Sequence, residues 1–141
     1  MIYKKILFND LKQLYKYDRE EFDTHSYSYD QILDIFNNSG YIIIGAYDDG
    51  GLYGYSIVCI IDKEIGDLQK IFVHSKYRRN NVGTNLIKNI GKYVKELFAE
   101  VRENNVPAIK FYQKNNFILI SKRNNYYGSN ENALVFKKKF K

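Results

Sequence analysis

A chain of 141 residues with 45% hydrophobic, 16% aromatic and 27% charged side chains can bury one core and is too short for two ordinary domains, so residues 1–141 are expected to form a single domain. That composition excludes a disordered chain, and the formal charge of +6 points to a polyanionic partner, nucleic acid or a phosphorylated small molecule, without choosing between them. A single cysteine, Cys59, excludes an internal disulfide and, within an apolar run, reads as a small buried hydrophobe.

The longest apolar stretch, Tyr55 to Ile61, falls short of the roughly 18 residues a membrane-spanning helix needs. The N-terminus has lysines but no apolar segment of signal-peptide type, so a cytoplasmic location is expected. "IYKKILF" reads as a first strand, after which Asp10 is placed to cap a helix with Leu11, Leu14, Tyr15 and Phe22 on one side. Ser28 is placed to cap a second helix carrying Ile32, Leu33, Ile35 and Phe36, which Gly40 ends. "YIIIGAYDDGGLYGYSIVCIID" predicts a hairpin turning at Asp48 to Gly51. After a turn at Gly66, "DLQKIFV" predicts a third strand of the sheet.

Val82, Leu86, Ile90 and Val94 follow at helical spacing, and "LFAEV" returns to strand. Asn105 or Pro107 opens another helix through "AIKFYQKN", and "FILISKR" and "ALVFKKKF" make two last strands around a polar loop. The order implies a mixed α/β fold, antiparallel in front and βαβ-like behind.

"YRRNNVGTNL", Tyr77 to Leu86, sets arginines, asparagines and a glycine just before a helix. A helix N-terminus presents unpartnered N–H groups and a positive dipole end, a site for phosphate when the preceding loop lets an anion approach. Gly83 permits that approach, and Asn81 tolerates a left-handed turn. The same pattern also fits an ordinary surface turn, and it is neither a Walker loop nor the three-glycine dinucleotide fingerprint.

Placed after the strand "IFV", the run Arg78, Arg79, Asn80, Asn81, Val82, Gly83 resembles the acetyl-CoA signature of the GNAT acetyltransferases, with Asn81 where that family usually has a glycine. "AEVRENNVPAIKFYQKNNF" is similar to a segment of the ribosomal-protein alanine N-acetyltransferases (RimI type), matching at Glu100, Val101, Arg102, Asn105, Ala108, Tyr112 and Phe117 and departing at Asn116, again in place of glycine. "RNNYYGSNENAL" resembles that family's Arg-x-Asn-Tyr-Tyr loop, whereas its Trp-Ser pair appears as Tyr27-Ser28. The resemblance covers Leu68 to Phe136. It implies a GNAT fold: a mixed, mostly antiparallel sheet of about six to seven strands, about four flanking helices, and a splayed strand pair holding acetyl-CoA as co-substrate, with no metal.

By the same resemblance, Glu100 is the general base and Tyr112 the acid that protonates the departing CoA sulfur; reference values of about 10 for a phenol and 8.5 for a thiol make the transfer reasonable. From the residues alone, Glu100 reads equally as a solvent-facing strand residue and Tyr112 as a core aromatic. The resemblance further implies that backbone groups of Ile71, Phe72 and Val73 meet the pantetheine arm and thioester. The N–H groups of Arg79 to Thr84 would hold the pyrophosphate, Asn105 would bond the arm or merely cap its helix, and Lys88 or Lys110 would approach the 3'-phosphate. Asp18, Glu20, Glu21 and Asp23 concentrate acidity where the family's acceptor groove lies, or form a solvated helix end.

The implied reaction is acetyl transfer to an amine, first of all the N-terminal α-amine of a ribosomal protein, by a monomer or dimer without membrane or direct nucleic-acid contact. A small amine, such as a polyamine, amino acid or antibiotic, is the alternative acceptor. A non-catalytic RNA- or ribosome-binding module using the basic tail "FKKKFK" is the third reading.

Overall fold

The computed structural model describes residues 1–141. Its strands are β1 (Ile2–Lys5), β2 (Tyr41–Asp48), β3 (Gly51–Asp62), β4 (Ile65–Val73), β5 (Glu96–Arg102), β6 (Ile118–Gly128) and β7 (Glu131–Lys139). They form one sheet in the order β1-β2-β3-β4-β5-β7-β6, antiparallel throughout except between β4 and β5. Helices α1 (Leu11–Phe22), α2 (Tyr29–Asn37), α3 (Val82–Ile90) and α4 (Val106–Lys114) flank it, completing the expected mixed α/β architecture. No helix is long and apolar enough to cross a membrane.

Each sheet face buries its own core. On one, Leu86, Ile87 and Ile90 of α3 and Tyr112 of α4 pack with Val58, Leu97, Ala99 and Phe136. On the other, Leu11 and Leu14 of α1 and Ile32 of α2 pack with Ile43, Tyr55, Ile57 and Phe72. Alternation along β5, whose Leu97, Ala99 and Val101 are buried while the residues between them are half-buried, turns Phe98 and Glu100 toward the second face.

The hairpin turns at Asp49 and Gly50, with φ of 50° and 82°, the left-handed pair a two-residue turn requires. Ser28 caps α2 through a complete capping box with Gln31. Asp10 departs from expectation: it stands before α1 without capping it, because its carboxylate accepts from the Tyr47 hydroxyl at 2.8 Å. That hydroxyl in turn accepts from the Leu7 N–H, and the first strand stops at Lys5 rather than Phe8. Gly66 lies inside β4 rather than in a turn, where an added Cβ would fall 2.8 Å from Val58 Cγ1. The supposed polar loop after Arg123 is mostly β6, and Cys59 is half-buried beside Tyr41 rather than sealed in the core.

Burial pushes the phenols of Tyr47 and Tyr112 up to about 12, and that of Tyr55 higher still. A raised phenol pKa leaves stability intact below the unfolded value near 10 and removes it as pH climbs toward the folded value, because the unfolded chain gives up protons first. Lys70 and Lys138, whose ammonium groups burial pushes down, work the other way, but they are two groups against eight raised phenols. The urea midpoint is therefore expected to hold up to about pH 9 and to fall steeply above about pH 10. A midpoint flat through that range would contradict the burial of these rings.

Candidate functional site

The parallel strands β4 and β5 pair only from Ile65–Glu96 to Leu68–Ala99. Beyond that point β4 continues to Val73 on β3 and β5 to Arg102 on β7 without pairing with each other, and a cleft of about 580 Å³ opens between them. The parting coincides with a bulge. Ile57 of β3 faces Lys70 while Val58 faces Leu68, so Gln69 is an extra residue that bends β4 and reverses the side to which later residues point.

Glu100, Val101, Arg102, Asn105, Ala108, Phe111, Tyr112 and Tyr127 line one side of this cleft, and Ile71, Phe72, Val73 and Arg78 the other. The Val73 carbonyl accepts from Arg78 Nε at 3.0 Å, so it turns away from β3, and strand alternation gives Ile71 the same direction. Phe72 turns to the opposite core, stacked on Tyr17 and Tyr55.

At one end the cleft meets a smaller hollow of about 200 Å³, lined by Tyr77, Arg79, Asn81, Val82, Gly83, Thr84 and Lys114 among others. Arg79 and Asn81 both adopt positive φ, 70° and 61°. Asn81 does so cheaply, whereas the arginine stores strain of about 1–2 kcal/mol. The result is a row of N–H groups, on Arg79, Asn81, Val82, Gly83 and Thr84, that find no acceptor within the chain. Asn80 is the exception: its N–H donates to the Tyr77 carbonyl at 3.3 Å, and its side chain lines neither hollow.

Gly83 leaves room at this junction for Phe111: a Cβ there would lie 2.9 Å from Phe111 Cε1, so any side chain would force that ring to shift. The Tyr77 hydroxyl donates to Asp48, tying the loop to the β2–β3 hairpin. Lys114, at the end of α4, lines the smaller hollow; Lys88 and Lys110 line neither part.

At the other end, Tyr112 is 8% exposed, its ring packed on Phe117 and Phe136 with centroids 5.0 and 5.7 Å away. It is at once a core aromatic and a wall of the cleft, and its hydroxyl takes no hydrogen-bond partner from the chain. Glu100 is half-buried and pairs with Arg123 at 3.2 Å. Asp67, two residues before the splay on the face Glu100 shares, was not singled out by sequence; burial and then Glu100 lift its carboxyl above the ordinary range, opposed by Gln69 and Arg123. Asn105 does cap α4, accepting from the Ala108 N–H at 3.2 Å, while also lining the cleft.

The acidic run at the end of α1 divides. Asp18 is fully buried, whereas Glu21 reaches the cleft wall and pairs with Arg78 at 3.4 Å. Parted parallel strands, unpartnered N–H groups at a helix start, and a carboxylate and phenol on the opposite wall thus meet in one cleft.

Residues 7–117 match the model of the acetyltransferase (GNAT) family, and the chain belongs to that family. It is 36% identical over 76 residues to an N-alpha-acetyltransferase of Sulfolobus acidocaldarius, a match covering 50% of this chain and 45% of that protein. A Saccharolobus solfataricus N-alpha-acetyltransferase is 34% identical over 76 residues, 50% of this chain and 46% of that one. The match thus spans about half the length of these curated relatives. Among solved structures, an aminoglycoside 6'-N-acetyltransferase complexed with coenzyme A superimposes with a TM-score of 0.87 over 99% of this chain and 97% of that one, at 16% identity. The ribosomal-protein-S18-alanine N-acetyltransferase from Escherichia coli gives 0.82 over 98% and 92%, at 20% identity. These two likenesses concern the fold.

Proposed function

We propose that the protein is an acetyl-CoA-dependent N-acetyltransferase whose acceptor is the α-amine at a protein N-terminus, of the ribosomal-protein alanine type. The observation that carries the reading is the cleft itself: five unpartnered N–H groups at one end, and Glu100 and Tyr112 at the other. The residues suit acetyl-CoA. Backbone donors beside Arg79 and Lys114 match a pyrophosphate, and the backbone of Ile71 and Val73 along the parted strand matches a pantetheine amide. The two N-alpha-acetyltransferases at 36% and 34% identity and the "RNNYYGSNENAL" loop support a peptide α-amine over a small amine.

Transfer requires a neutral amine, a polarised carbonyl and a proton near the departing sulfur. Glu100, in the cleft wall, takes the ammonium proton directly or through water, and the parted β4 backbone faces the thioester oxygen. Tyr112 holds its proton at every working pH, since burial places its pKa at about 12. Full transfer from such a phenol to a thiolate of pKa near 8.5 is uphill by about 5 kcal/mol, so Tyr112 acts by a hydrogen bond that strengthens as charge builds on sulfur, and solvent completes the protonation.

The test is incubation with acetyl-CoA and, separately, alanine-start basic peptides, internal-lysine peptides and small amines, reading CoA release and the acetylated position by mass spectrometry. Acetylation of a peptide α-amine is the expected result. Turnover of small amines alone would move the acceptor to that class, and failure to bind acetyl-CoA would end the proposal.

A further inference from the structure

Asp18 and Lys70 lie 52 positions apart and meet in a buried ion pair that the chemistry above does not use. Lys70 Nζ donates to Asp18 Oδ1 and Oδ2, each at 2.9 Å, and to the His25 carbonyl at 2.8 Å. Asp18, fully buried, also accepts from the Tyr55 hydroxyl and the Tyr27 N–H, both at 2.7 Å. The ammonium sits 4.6 Å from the centre of the Phe22 ring and 4.0 Å from that of Tyr27. One cation on β4 therefore gathers the last turn of α1, the His25 turn and the segment entering α2.

That connection is held in a conformation it would not choose. Asp23, at the end of α1, has φ 45° and ψ −105°, which only glycine adopts without strain. Such strain persists where the surroundings over-determine the backbone. A buried pair is also a poor source of net stability, since replacing both partners by neutral groups of similar shape is often harmless. What the pair supplies is geometry: Glu21 and Phe22, the last two residues of α1 and part of the cleft wall, sit just before this connection, and Lys70 lines the cleft too.

We propose that Asp18 and Lys70 are positioning residues, whose buried pair pins the α1–α2 connection to β4 and so sets the Glu21–Phe22 wall against which the acceptor amine docks. The docking step rests on reading the cleft as an acetyltransferase site; the pin does not. The Lys70 side chain turns to α1, away from the side Ile71 faces, and the pair lies outside the smaller hollow, so acetyl-CoA affinity depends on it far less than acceptor binding does.

Lys70→Met alone leaves a bare buried carboxylate and is prone to misfold, so the deciding variant is Asp18→Asn with Lys70→Met. There the introduced carboxamide still faces Tyr27 and Tyr55, and the methionine keeps the aliphatic stem between the rings. Hydrogen exchange of the Phe22 to Tyr27 amides is expected to quicken in this double variant while α3 and β7 amides keep their protection. With a peptide acceptor, KM is expected to rise roughly ten- to a hundredfold, the effect of a displaced positioning wall, with acetyl-CoA affinity changing by far less. Unchanged exchange at Phe22 to Tyr27 overturns the pin, and wild-type KM in the double variant overturns its role toward the acceptor. If the wild-type chain transfers no acetyl group, the functional reading falls, whereas the exchange experiment still decides the pin.

Discussion

Tyr112→Phe is expected to lower kcat by roughly a hundredfold or more, the usual loss when a donor to developing negative charge is removed, while acetyl-CoA affinity stays near wild type. The substitution is clean because the ring does the packing. Its neighbours Phe111, Phe117 and Phe136 keep their contacts with a phenylalanine, and the hydroxyl gives up no partner inside the protein. The pH profile gives a second check. With a folded pKa of about 12, Tyr112 should add no basic limb to kcat below about pH 11. A basic limb near pH 10 that vanishes in Tyr112→Phe would mean that the ring is better solvated than its burial implies. Equal turnover in the variant would remove Tyr112 from the chemistry and leave protonation of the sulfur to solvent alone.

What sequence could foresee at this site follows the range of the forces involved. The left-handed turns at Asn81 and Asn116, with φ of 61° and 66°, were legible because asparagine's tolerance of that conformation is a property of one residue. The Ser28 capping box and the Asp49–Gly50 turn are likewise settled within four residues. The fate of Asp18 was not legible. Read locally it is one of four acids on a solvated helix end, and Lys70 and Tyr55, brought beside it by the sheet, together with the Tyr27 N–H, make its burial tolerable. Asp10 failed for the same reason, since a tyrosine 37 positions away outcompeted the helix N-terminus for its carboxylate.

Charge near the phosphate end shows the same limit. Lys88 and Lys110 were natural choices along the chain, but the packing of α4 on α3 brings Lys114 to the hollow instead. The bulge at Gln69 carries no composition signal at all. It emerges from matching β3 to β4 while β5 departs, and it decides that Lys70 faces α1 and that Ile71 turns to the other side.

Gly83→Asp is expected to reduce CoA affinity on the order of a hundredfold or more. Two effects combine, and they can be separated. The Cβ alone falls 2.9 and 3.1 Å from Phe111 Cε1 and Cζ, so the Phe111 ring must shift; Gly83→Ala measures that share. The aspartate adds a carboxylate among the N–H groups of the first helical turn. There it is favourable for the helix, by about 0.3–1 kcal/mol, which offsets part of the steric strain and keeps the variant folded. The same carboxylate occupies the donors a pyrophosphate needs and repels it, by about 4 kcal/mol per unit charge at 4 Å in a partly screened site. Affinity measured by calorimetry should therefore fall in the order wild type, Gly83→Ala, Gly83→Asp, with thermal stability of the aspartate variant no lower than that of the alanine one. Equal CoA affinity in all three would mean that the unpartnered N–H groups of this loop face nothing, and the phosphate end of the cleft would have to be sought elsewhere.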